Sequence, residues 1–114
     1  MITARQKSLY SFFKKITMSI DMQAVSFRAD QKLKLFIENR VEKLNLFFGR
    51  IIRTQVLLKL ENTGQVKEKV VEVSVHVPGE VLFVKSSKMS FEAATDEAID
   101  SLRRKIERYK SRRK

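Results

Sequence analysis

The chain holds one histidine, no cysteine and three glycines, and that inventory removes most reaction chemistry before any fold is considered. His76 lies on the polar parity of an alternating run, with no second histidine near it, so it is expected to be a plain exposed or edge residue. Without cysteine there is neither a disulfide framework nor a thiolate zinc site. Three glycines leave no phosphate-cradling loop. Asp96 and Asp100 stand four apart on one stretch, a spacing at which paired carboxylates can do acid/base work. Arg103 and Arg104 follow on the same stretch, so local ion pairs are the expectation. With one histidine no Ser/His/Asp arrangement forms. No catalytic activity, cofactor, metal site or small-molecule substrate is expected.

What remains is basic. The 114 residues carry a formal charge of +11, and its placement matters more than its size. Residues 1–17 hold Arg5, Lys7, Lys14 and Lys15 with no acid, and residues 101–114 hold eight Lys/Arg against Glu107 alone. The middle of the chain is neutral. A neutral body with cationic ends suits a polyanionic partner, of which nucleic acid is the commonest, because cations that neutralise phosphates release counterions. The candidate contacts are Arg40, Lys43, Lys85, Lys88, Arg103, Arg104, Lys105 and Arg108. Any one of them alone reads as a solvated surface charge, so the hypothesis concerns the set. Phe83 is the lone aromatic of the three-strand meander from Ile51 to Lys85, and Phe36, Phe47, Phe48 and Phe91 fall on helical seams as core residues. Recognition of structured RNA through phosphate and shape is therefore expected, rather than base stacking on a sheet.

The elements that must position this set follow from periodicity. Ser90 to Lys114 reads as one amphipathic helix with Phe91, Ala94, Ala98, Leu102, Ile106 and Tyr109 on a stripe. Ser90 is its N-cap and Glu92 lies in its first turn. Arg104 and Arg108 should face outward, with Arg103, Lys105 and Lys110 on the flanks. A first helix spans Gln31 to Phe48, capped by Asp30, with Leu33, Ile37, Val41, Leu44 and Phe48 as the stripe. Phe36 and Phe47 widen it, and Gly49 is placed to end it. Met18 to Phe27 reads as a strand, with a change of face or a bulge near Val25 and Phe27, followed by a turn at Arg28-Ala29-Asp30. Ile51 to Glu61 alternates, with Ile52, Val56, Leu58 and Leu60 on the apolar parity. Val66 to Val77 alternates after a turn at Asn62-Thr63-Gly64. Pro78-Gly79 turns the chain into a short strand, Glu80 to Lys85, and Ser86 to Met89 is a polar connector.

The order is β-α-β-β-β-α, an α+β fold: a four-stranded mixed sheet with two helices packed on one face. Residues 18–114 make one domain. Residues 1–17 are expected to be an extension, either disordered or upstream of the true start, since Met18 and Met22 stand just before the first convincing element. Lys14 and Lys15 make the beginning a poor secretory signal, no apolar run reaches membrane-spanning length, and the lack of cysteine suits a reducing cytoplasm.

From about Met18 to Lys110 the chain resembles the ribosome hibernation-promoting factors, also called ribosome-associated translation inhibitors and formerly sigma-factor modulation proteins. Arg40 to Ile51 (RVEKLNLFFGRI) is similar to that family's basic, leucine-centred helix end and its entry to strand two. Ser90 to Lys110 (SFEAATDEAIDSLRRKIERYK) is similar to its final helix. The resemblance implies a non-enzymatic stress-response factor that binds the small ribosomal subunit, occupies the channel of messenger and transfer RNA, and inhibits translation. It implies ribosomal RNA contacts best matched by Arg40, Lys43 and Arg104, with Lys85 or Lys88 matching the basic loop before the last helix. The family's Asp-Met-Tyr at the start of that helix is replaced here by Ser90-Phe91-Glu92. The chain stops soon after the helix, as in the short type, and is expected to be a monomer off the ribosome. Two alternatives stand beside this: a protein-interaction module that modulates a transcription factor through the open sheet face, and a generic binder of structured RNA.

Overall fold

The computed structural model describes residues 20–64 and 66–113. The expected extension at residues 1–17, and the first two residues of the expected strand, lie outside the described residues. The element order is β1 (Ile20–Val25), α1 (Gln31–Phe47), β2 (Arg53–Thr63), β3 (Val66–Val77), β4 (Glu80–Lys88) and α2 (Phe91–Arg112). The strands lie side by side in chain order, β1 parallel to β2 and the other two pairings antiparallel.

Alternating side chains become rows once the register is fixed. Met22, Val56, Val73 and Val84 align across the sheet, as do Ala24, Leu58, Val71 and Ser86, and Ile20, Thr54, Val75 and Leu82. These rows make the face that both helices cover. A slip of one residue would send every one of them to the opposite face, so burial itself holds the register. From α1, Leu33, Ile37, Val41 and Leu44 close on this face, and from α2 come Phe91, Ala94, Ala98, Ile99, Leu102, Ile106 and Tyr109. Leu102 and Ile106 are fully buried, and truncating either to alanine would cost about 2–5 kcal/mol.

Local signals act as the sequence suggests at both helix starts. The Asp30 carboxylate accepts from Leu33 N–H at 2.8 Å, and the Ser90 hydroxyl oxygen accepts from Ala93 N–H at 3.1 Å. Gly79 has φ +87°, the left-handed value a tight turn after proline demands. The change of face after β1 also has a cause. Ser26 adopts φ +69°, which turns Phe27 onto the core side, where its ring stacks on Phe91 at 4.7 Å.

Four expectations are corrected. Ile52 is 62% exposed and Ile51 is buried in its place, because the chain is not yet a strand before Arg53 and the alternation does not extend back to it. Phe47 is exposed while Phe48 is buried, so the seam takes one of the two adjacent aromatics rather than both. The first helix ends on Phe48 in an extended conformation (φ −138°), with no left-handed glycine cap at Gly49. Finally, β4 runs on to Lys88, so Ser86 to Lys88 are strand rather than connector. Ser86 is buried there, and its hydroxyl donates to the Glu97 carboxylate at 2.7 Å, which satisfies the polar group.

Candidate nucleic-acid interface

The two helices run in the same direction. Arg40 of α1 meets Asp96 of α2, and seven residues further along each helix Phe47 lies beside Arg103. Both C-terminal ends therefore fall at one end of the molecule. The negative poles of two helix dipoles coincide there, and cations gathered on α2 offset them. That end is fastened to the sheet. The Tyr109 hydroxyl donates to the Pro78 carbonyl at 2.6 Å, and its ring packs edge-on to Phe48 at 5.9 Å. Arg112 reaches Glu80 at 2.6 Å.

The candidate residues separate into three groups. Lys43, Arg103, Arg104 and Arg108 are exposed on the helical layer. Lys43 and Arg108 have no ion pair or hydrogen bond among the described residues, and Arg104 donates only to the Ser101 hydroxyl at 3.1 Å. Arg103 lies with its guanidinium carbon 5.4 Å from the Phe47 ring centre. Arg40 is on the same layer but engaged: its Nε is 2.7 Å from Asp96, and its guanidinium sits 4.2 Å over Phe36. The second group lines the flank of α2 towards β4. Lys105 donates to the Phe83 carbonyl at 2.7 Å, and Lys88 is 3.4 Å from Glu97. Lys85 forms the third group alone, on the open sheet face, 3.8 Å from Glu61. It is not brought together with the helical cations. Strand parity explains this, because Lys85 alternates with the buried Val84 and Ser86.

Sequence reasoning left two neighbours out of the set. Periodicity puts Lys110 only on a flank, yet its Nζ stands 5.3 Å from the Phe47 ring centre. Arg112 joins the same end. The signal that could have found both was their spacing of seven from Arg103 and four from Arg108 on one helix.

Two carboxylate contacts set local titration. The Ser86 hydroxyl, and then Lys88, hold the Glu97 carboxyl below its ordinary value. The hydrogen bond from Lys59 to Glu72 at 2.7 Å holds the Lys59 ammonium above its own. This second pair lies on the open face beside the buried Val70. That face holds a shallow hollow of about 590 Å³ lined by Asp21, Gln23, Gln55, Leu57, Glu72 and Phe83. His76 lies on the same face with Nε2 3.0 Å from the Gln55 side-chain oxygen. Among the described residues no three His, Asp or Glu gather as a metal site, and no helix is long and apolar enough to cross a membrane.

Residues 20–114 match the family described as Sigma 54 modulation protein / S30EA ribosomal protein. The chain belongs to that family. It is 26% identical over 97 residues to a ribosome hibernation promoting factor of Salmonella typhimurium, covering 85% of this chain and 98% of that protein. Two solved structures share the fold. A ribosomal subunit interface protein from Coxiella burnetii superposes with TM-score 0.75 at 16% identity, over 82% of this chain and all but 1% of its own. The N-terminal domain of Thermus thermophilus Protein Y gives 0.71 at 22% identity, over 81% of this chain and 99% of that one.

Proposed function

We propose that this protein is a ribosome hibernation factor: it binds the small ribosomal subunit, occupies the channel used by messenger and transfer RNA, and so inhibits translation without catalysis. The observation that carries the reading is the fixed cationic layer. Arg103, Arg104 and Arg108 project from a helix whose far end is pinned by Tyr109, and Lys43 joins them from the neighbouring helix. A rigid array meets folded RNA without the ordering cost that a loose basic tail would incur. Family membership and the hibernation-promoting relative support the ribosome as the polyanion.

In this reading Lys43, Arg103, Arg104 and Arg108 contact phosphates directly. Arg40 orients the helix pair through Asp96 and can exchange that carboxylate for a phosphate. Lys88 and Lys105 extend the surface along the flank. Lys85, on the other face, would serve only where RNA also wraps the sheet. The bulk of the domain excludes transfer RNA, and the protein acts as a monomer in the cytoplasm.

The test is co-sedimentation with purified small subunits across a salt series, with and without transfer RNA. Four phosphate contacts predict a log–log slope of roughly −3 to −4. Binding indifferent to salt would overturn the phosphate mechanism. Simultaneous occupancy by transfer RNA would overturn the channel assignment. A module that modulates a transcription factor through the open face would be insensitive to loss of the helical cations.

A further inference from the structure

Phe47 ends α1 with 39% of its surface exposed, although its neighbour Phe48 already fills the seam. An aromatic left open at a helix terminus needs an account. It lies on the row Phe36, Arg40, Lys43, Phe47, the side of α1 turned towards α2. Across the groove, Arg103 and Lys110 stand 5.4 and 5.3 Å from its ring centre. Both are within cation–π range, but neither sits as close as Arg40 does to Phe36 at 4.2 Å. Glu107 lies between them on α2 and approaches Lys110 at 3.7 Å, with both groups largely in solvent.

Arg103 and Lys110 are two turns apart, which places their backbones about 10 Å apart along the helix. That span is roughly three times the ~3.4 Å advance per nucleotide of a stacked strand. A stacked strand, advancing about 3.4 Å per nucleotide, would leave about two further phosphates between the two cations. A nucleotide pulled out of its stack separates its neighbours and fits the spacing. When Arg103 and Lys110 turn from the ring to phosphates, the ring offers a π-face, the feature by which proteins hold unstacked bases of any sequence.

We propose that Phe47 is a stacking platform for one unpaired nucleobase of a folded RNA, with Arg103 and Lys110 gripping the phosphates on either side. The site rests on the RNA-binding reading above and gives it a second component, insensitive to salt. It favours a loop or bulge over a continuous duplex. The surrounding charge selects RNA over an apolar protein partner.

The chain contains no tryptophan, so Phe47→Trp installs a single indole reporter at the platform. Its fluorescence is followed on titration with purified small subunits, with a single-stranded homopolymer RNA, and with heparin, a polyanion without bases. Quenching by the two RNA ligands but not by heparin is expected. Phe47→Leu, which keeps apolar bulk at an exposed position, should lower small-subunit affinity by about 5- to 150-fold with an unchanged salt slope. Equal quenching by heparin, or wild-type affinity in the leucine variant, would overturn the platform. If the indole stays unquenched while the protein still co-sediments, the stacking inference falls and the phosphate reading stands. If wild-type protein ignores small subunits at low salt, both fall together.

Discussion

Tyr109 offers the sharpest test of whether the cations must be held in place. It is 3% exposed, and beyond Ile106 it is the last buried residue of α2 among those described. Tyr109→Phe removes only the hydroxyl that donates to Pro78. The half-buried carbonyl can turn to water, so the cost lies near the low end of a net hydrogen bond, about 0.5–1 kcal/mol. Tyr109→Ala also loses the ring against Phe48, and aromatic truncations in cores cost about 3–5 kcal/mol. Residues 107–112 then retain no apolar anchor and should open locally more often than the rest of the helix. Net charge is unchanged in both variants, so electrostatic steering is preserved. If re-ordering the helix end costs 1–2 kcal/mol on binding, affinity for small subunits falls by about 5- to 30-fold. Hydrogen exchange of amides 107–112, read beside binding at fixed salt, is the assay. Labile amides with wild-type affinity would refute the need for a rigid array, and fully protected amides in the alanine variant would refute the anchor.

Neutralising Lys43, Arg104 and Arg108 together to glutamine should leave the circular dichroism unchanged and make the salt slope shallower by roughly 2–3, whereas Lys85→Gln alone should do nothing to binding. Thr54 is fully buried with its hydroxyl unpartnered among the described residues, so Thr54→Val should be neutral or stabilising by up to about 1 kcal/mol in urea unfolding; a clear loss would show that the hydroxyl has a partner. The Glu97 carboxyl titrates below its ordinary 4.5 in the folded state, so its contribution is present above that pH and is lost as pH falls through the depressed value. Glu97→Gln should therefore be less stable than wild type near neutrality, with the gap closing as acid protonates the wild-type carboxyl; a gap that persists in strong acid would mean the carboxylate charge is not what stabilises.

Much of this architecture was legible because the apolar spacing changes sharply between elements. The alternation of Val71, Val73, Val75 and Val77 admits only a half-buried strand, and the stripe from Phe91 to Tyr109 admits only a helix. What was not legible lies at boundaries. Periodicity alone cannot say which of Phe47 and Phe48 turns inward, because both fall within the angular width of a helical seam at its last turn. Ile51 and Ile52 pose the same problem at the start of a strand. The extension of β4 through Ser86, Ser87 and Lys88 was hidden because a polar side chain can be buried once it finds a partner, and that partner, Glu97, lies on another element. The same limit applies to the basic set. Sequence can count Lys85 among the cations, but only strand pairing puts it on the far face.

Lys105 illustrates a second use of positive charge, beside its place on the cationic surface. β4 is one of the two edge strands of the sheet, and the amine of Lys105 reaches round to occupy the Phe83 carbonyl. An unsatisfied strand border invites another chain to extend the sheet, which is a route to aggregates. By occupying that carbonyl midway along β4, α2 makes this edge a poorer template for a further strand.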